Sequence, residues 1–267
     1  MENIWQGLIT PILTDRKARP RQTGLTMVLD KGLGLNATRD LIDTVGDYID
    51  ELKLTFGTSC FYEKHYLEKK IEMLRSAGIQ VMPGGTLTEL AIFQGVFPQF
   101  LARAKEKGFT TIEVSDGTIE MTPSQRGDYI KRASDAGFYV ITEVGTKDLN
   151  NPKATEMLNE QLLKDLEMGA KKVVIEAKEA GVGSTIYNEQ GIVKESEVNK
   201  LIKGLDSTDK LIWEAPIRDQ QDYLIARFGA NVNIGNCPTD GVMSLEVIRN
   251  GLGETPFRMA YQDSKNN

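Results

Sequence analysis

The chain has 267 residues, 40% hydrophobic and 26% charged, with a formal net charge of −6. A chain of this size buries a full core, and its acidic balance leaves no broad basic face for nucleic acid or an anionic membrane surface. No apolar run approaches the roughly 20 residues of a membrane helix. The start, MENIWQGLITPILTDRKARP, lacks the basic head and long apolar centre of a signal peptide. Cys60 and Cys237 stand far apart, with no CxxC or Cys/His spacing. The expectation is a cytoplasmic protein with reduced thiols and neither nucleic acid nor membrane as partner.

Residues 1–20 read as an N-terminal extension. Strand-like runs follow in GLTMVLDKG and DELKLTFG, beginning near residues 25 and 51. The first helical spacing is Leu67, Ile71 and Leu74, in a segment that ends at Gly78. Its polar opening, YEKHYLEKK, holds the chain's single histidine, His65. That setting predicts a surface residue, which excludes a histidine-dependent triad. The next runs, IQVMPGG near 79 and TIEVSDG near 111, flank a helix that stops at Gly108. Thr122-Pro123 then combines an N-cap residue with proline in the first turn. FYVITEVG begins near 138, and Leu158, Leu162, Leu163 and Leu166 mark another amphipathic helix. KKVVIEA, KLIWEAP and NVNIGN supply strands near 172, 211 and 231. Residues 256–267 read as a frayed tail. Gly78, Gly108, Gly137, Gly169 and Gly229 each fall between a helical pattern and the next strand, the left-handed position just past a helix C-terminus.

Eight strands alternating with helices predict a single α/β domain, a (β/α)8 TIM-like barrel spanning residues 1–267. The competing architecture, an open doubly wound sheet, lacks the GxGxxG expected after its first strand. Barrel active sites lie at the C-terminal strand ends. There, alternation gives Asp30, Lys53, Thr55, Glu113, Ser115, Glu143, Glu176 with Lys178, and Glu214 as inward candidates. Four strand ends carry glutamate at nearly one height: IEVSDG, ITEVG, VIEAK and IWEAP. Carboxylates so close repel unless cations lie among them. The bland reading is carboxylate–lysine pairing that only fixes the barrel's register. The functional one adds a divalent ion, and an oxygen-only donor set suits Mg²⁺ rather than Zn²⁺. Asp30, Glu113, Glu143 and Glu176 are the metal candidates. Two glycine turns, PGGT at 83–86 and AGVGST at 180–185, could cradle a phosphate or carboxylate. Gly84, Gly85, Thr86, Ser115, Lys178 and Asn236 are therefore candidates for binding a small anionic substrate.

In order, PRQTGLTMVLDKGL, YIDELKLTFGTS, PGGTLTE, IEVSDGTIEMT, ITEVGTKD, VVIEAKEAG and IWEAP resemble motifs of the phosphosulfolactate synthase family, over residues 19 to 255. The resemblance implies a TIM-like barrel, Mg²⁺, a homo-oligomer, and addition of sulfite to phosphoenolpyruvate to give (2R)-phospho-3-sulfolactate, a step in one route to coenzyme M. It also implies that Lys147, the lysine of the family's EVG-x-K motif, protonates the enolate-like species, with Lys53 as the alternative acid. Three departures stand at the active end. Lys178 occupies an arginine position of the family, Thr55 and Phe56 replace glycine and tryptophan, and Gly235 replaces an alanine. They leave two other readings open: a related barrel enzyme on another enolate-forming anion, or a non-catalytic member like the plant heat-stress-associated relatives.

Overall fold

A computed structural model describes residues 4–145, 148 and 150–266. Eight parallel strands form one sheet: β1 Thr26–Asp30, β2 Glu51–Leu54, β3 Gln80–Met82, β4 Thr111–Val114, β5 Tyr139–Val144, β6 Lys172–Ile175, β7 Leu211–Glu214 and β8 Ile234–Pro238. Their order, β3-β2-β1-β8-β7-β6-β5-β4, curls the sheet until β3 and β4 meet. That junction is bridged through Thr110, whose amide donates to the Val81 carbonyl at 3.0 Å. The Val81 amide in turn donates to Thr110 Oγ1 at 2.8 Å.

The connecting helices are α1 Leu35–Val45, α2 Lys64–Ser76, α3 Gly85–Phe93, α4 Phe97–Lys107, α5 Pro123–Asp135, α6 Ala154–Glu167, α7 Glu195–Leu201, α8 Arg218–Phe228 and α9 Val242–Arg249. The stretch whose sequence predicts a frayed tail forms a last helix, α10 Glu254–Asn266. Thr122 caps α5 in a capping box with Gln125. All five predicted helix-ending glycines have positive φ, from +72° at Gly78 to +107° at Gly169.

Strands buried on both faces read as continuous apolar runs. The outward set, such as Val28, Leu52, Ile112 and Val173, packs beneath the helices. The inward set makes a separate apolar plug of Met27, Met82, Ile141, Val174 and Ile212. This plug fills the middle of the barrel, so polar inward residues sit only at its two ends. At the N-terminal end the extension is lashed down by arginines. Arg16 pairs with Glu246 at 2.9 Å and Arg21 with Asp50 at 2.7 Å. Among the described residues, no helix is long and apolar enough to cross a membrane.

Candidate active site

One position beyond the apolar plug, the inward residues become charged. Lys53 from β2 places its ammonium on the barrel axis, 2.9 Å from Glu113 on β4, 3.2 Å from Glu143 on β5 and 3.7 Å from Glu214 on β7. Burial alone would lower the Lys53 pKa, but Glu113, Glu143 and Glu214 outweigh it and raise it well above the usual lysine value. Lys53 is thus a fixed cation, and its surroundings oppose proton release. Burial also pushes the carboxyls up, with Glu113 reaching about 7 and Glu214 lying well above the ordinary range. Glu113 Oε1 accepts the Gly85 amide at 2.8 Å, and Glu214 Oε2 accepts the Ala177 amide at 3.0 Å. Both carboxylates are therefore engaged on the barrel's own backbone.

Above this cluster opens a cavity of about 200 Å³. Its walls include Gly84, Gly85, Thr86 and Ser115 on one side and Glu143, Glu176, Lys178 and Asn236 on the other. Each predicted anion-binding residue therefore faces one space. Gly84 has φ +83° and leaves α3 without a side-chain cap. With the Gly85 amide on Glu113, the Thr86 and Leu87 amides have no acceptor within the helix, and the helix dipole favours an anion there. A Cβ at Gly85 would stand 2.4 Å from both Glu113 Oε1 and Ser115 Oγ, so only glycine permits this approach.

The structure corrects two expectations. Asp30 does not reach the cavity: Met27 and Leu29 are the inward residues of β1, and Asp30 points outward to Lys70 of α2 at 2.5 Å. It also accepts the Gly32 and Leu33 amides at 2.7 and 2.8 Å, a structural role. The AGVGST turn does not reach the cavity either. The Gly183 amide donates to Asn188 O at 2.9 Å and that of Ser184 to Tyr187 O at 3.0 Å, and the loop packs on Gln220 of α8. Ser115 is in place, but its hydroxyl donates to Glu89 Oε1 at 2.6 Å.

Glu89 itself was not legible in the sequence. From inside α3 it accepts the amides of Gly117, Thr118 and Ile119 at 3.1, 2.7 and 3.0 Å. It thereby shapes the loop after β4. The buried Arg126 of α5 does similar work, bridging Asp165 at 2.7 Å, Asp116 at 2.9 Å and the Glu143 carbonyl at 2.8 Å. His65 lies exposed on α2 beside Glu68. Lys147 lies outside the described residues.

For a divalent ion, the inward strand-end carboxylates not bonded to backbone amides are Glu143, which pairs with Lys53, and Glu176. Glu176 makes no side-chain hydrogen bond among the described residues. Burial, then the neighbouring Glu143, raises its pKa to about 7. No cluster of three or more carboxylate, histidine or cysteine ligands forms among the described residues. Two hard carboxylates beside an open cavity nonetheless match the way Mg²⁺ binds, keeping waters and one or two protein ligands. The set that fits is thus narrower than the four residues expected.

Residues 14–255 match the family model for (2R)-phospho-3-sulfolactate synthase (ComA). The chain is 41% identical over 239 residues to phosphosulfolactate synthase of Methanocaldococcus jannaschii, covering 88% of this chain and 94% of that protein. It is 40% identical over 243 residues to the enzyme of the same name from Methanothermobacter thermautotrophicus, with 90% and 94% covered. Among solved structures, 3-hexulose-6-phosphate synthase from Salmonella typhimurium shares the fold, with TM-score 0.55 at 13% identity, covering 84% of this chain and 99% of that one. With its motif order carried on an arc of strand-end glutamates from β4 to β7, the chain belongs to the (2R)-phospho-3-sulfolactate synthase family.

Proposed function

We propose that this protein joins sulfite to phosphoenolpyruvate as an Mg²⁺-dependent carbon–sulfur lyase. The observation that carries the reading is the pairing of an uncapped helix N-terminus with the acidic pair Glu143 and Glu176 across one small cavity. The first suits a phosphate, and the second requires a cation before a carboxylate can approach. The Thr86 and Leu87 amides take the phosphate oxygens. Bound Mg²⁺, held by Glu143 and Glu176, supplies the positive charge that an enolate-forming reaction needs. Lys53 holds the glutamate arc together and keeps the floor of the cavity from being uniformly negative. The sulfur lone pair forms the new bond to the methylene carbon, the alkene electrons move toward the carboxylate, and a proton then enters at the adjacent carbon. Lys147, by its place in the family motif, is the proposed donor of that proton.

Lys178, standing where the family has arginine, favours a second reading in which a different small nucleophile is used. A product assay with phosphoenolpyruvate, Mg²⁺ and sulfite, against a panel of other nucleophiles, separates the two. Absence of any sulfonated product refutes the first. Arginine cannot release a proton near neutral pH, so Lys147→Arg tests the donor. The expected loss in turnover is roughly 10²–10⁴-fold, and near-normal turnover rejects the assignment.

A further inference from the structure

Among the described residues, three that are not glycine adopt a left-handed backbone: Phe56 at φ +53°, Lys178 at +58° and Asn236 at +51°. They come from three different connections, after β2, after β6 and within β8. All three line the same cavity. Such conformations are uncommon outside glycine, and a bulky aromatic is the least expected there. Strain of this kind persists where surrounding structure imposes it, and it concentrates at working sites.

Phe56 has the least local justification. The residue is 54% exposed, so no core packing explains the conformation. The next residue, Gly57, is also left-handed, at φ +70°, and the pair kinks the connection after β2. Two strands around the barrel from Phe56, Asn236 is 7% exposed, and its Oδ1 has no hydrogen-bond partner among the described residues. Phe56, Lys178 and Asn236 thus line one space.

We propose that Phe56 is a specificity-determining residue, an apolar cover that seats over a small bound anion and excludes water, with the Lys178 ammonium donating to the ligand from the opposite rim. This rests on the reading of the cavity as the phosphoenolpyruvate site. The turn after β2 holds Phe56 on the cavity wall, more than half exposed.

The test separates ring from backbone. Phe56→Ala keeps the backbone strain and removes the ring, whereas Phe56→Gly removes both. Phe56→Trp keeps an apolar cover. Burying the exposed half of a phenylalanine under a ligand is worth about 5–20-fold in kcat/KM, so both small variants lose about that factor. Phe56→Trp stays within about threefold of the parent. The glycine variant melts about 2–4 °C above the alanine variant, because only it relieves the strain. Unchanged kcat/KM in Phe56→Ala overturns the proposal, and so does a glycine variant that melts no higher than the alanine one. If sulfite is not the nucleophile, calorimetric titration with phosphoenolpyruvate and Mg²⁺ alone reads the same comparison. Weaker binding in Phe56→Ala sustains the cover, and equal binding removes it. A parent protein that neither binds nor turns over phosphoenolpyruvate refutes the functional reading before any variant is compared, and this inference with it.

Discussion

Removing the Lys53 ammonium is the sharpest perturbation of the arc of carboxylates. Lys53→Met keeps the apolar stem and deletes the charge that stands 2.9 Å from Glu113, 3.2 Å from Glu143 and 3.7 Å from Glu214. Glu113 and Glu214 are 1% and 2% exposed, so water cannot replace the lost partner. Breaking a buried pair with the carboxylates ionised costs about 3–5 kcal/mol. The cost depends on pH, because these carboxyls can take up protons instead. Glu113 already titrates near 7 with the lysine present, and Glu214 higher. Without the lysine their values rise further; the parent already holds the Glu214 proton near neutrality, so the folded variant gains mainly at Glu113, about half a proton at pH 7 and nearly a whole one at pH 8. Each extra proton makes the variant lose about 1.4 kcal/mol of stability, relative to the parent, per unit rise in pH. Averaged over the window this is about half a proton, so the deficit should shrink by roughly 1–1.5 kcal/mol between pH 8 and pH 6. Urea unfolding followed by far-ultraviolet circular dichroism at the two pH values measures this. An equal deficit at both, or one below about 1 kcal/mol at pH 8, would show that the ammonium is not what holds the carboxylates together.

Glu51, at the opposite end of the barrel, offers a test without the active site. Burial raises its pKa from 4.5 to about 7, so the folded state keeps a proton that the unfolded chain releases, and stability falls as pH rises through that window. Glu51→Gln should abolish this slope and stabilise the protein at pH 8 by up to about 3 kcal/mol; identical denaturation profiles for variant and parent across pH 5–8 would refute it. Asp30→Asn should destabilise the fold by about 3–5 kcal/mol by stranding the fully buried Lys70, while calorimetry finds Mg²⁺ affinity unchanged; a large loss of affinity would return Asp30 to the metal set. A Cβ at Gly145 would stand 1.6 Å from Glu176 Oε2. Gly145→Ala should therefore displace that carboxylate and weaken Mg²⁺ binding by about 10–100-fold; wild-type affinity would exclude Glu176 as a ligand.

The strands were legible because parallel sheets leave long apolar runs punctuated by helix-ending glycines. Predicted starts near 51, 111, 172 and 211 coincide with those of β2, β4, β6 and β7. The predicted start near 231 precedes β8, which begins at Ile234, since Asn231 and Asn233 are tied to neighbouring backbone instead. Glu113, Glu143, Glu176 and Glu214 were legible for another reason: a charge at the end of an apolar strand has few other uses. Asp30 was misplaced because TMVLD is buried at every position, so nothing in its residue types reveals which alternate set faces the axis. The left-handed conformation of Asn236 was equally hidden. It accompanies a register shift between β1 and β8, where Thr26 pairs with Ile234 but Val28 with Cys237. Glu89 escaped notice because a helical glutamate ordinarily faces water, and only the folded loop after β4 brings three amides onto it.

The junction between β3 and β4 behaves like the clasp of a bracelet. Seven strand pairs are zipped by ladders, whereas here the ring is fastened by the bonds around Thr110, with Glu113 reaching across to Gly85 at the cavity end. Breathing of the barrel is cheapest at this point, since the fewest backbone bonds must part. Thr86 and Ser115 flank the clasp from opposite sides, so a ligand lodged between them pins it shut. Hydrogen exchange at the Val81 and Thr110 amides would then slow on ligand binding more than at amides between β6 and β7. Occupancy of the site and integrity of the barrel are, in this molecule, partly the same event.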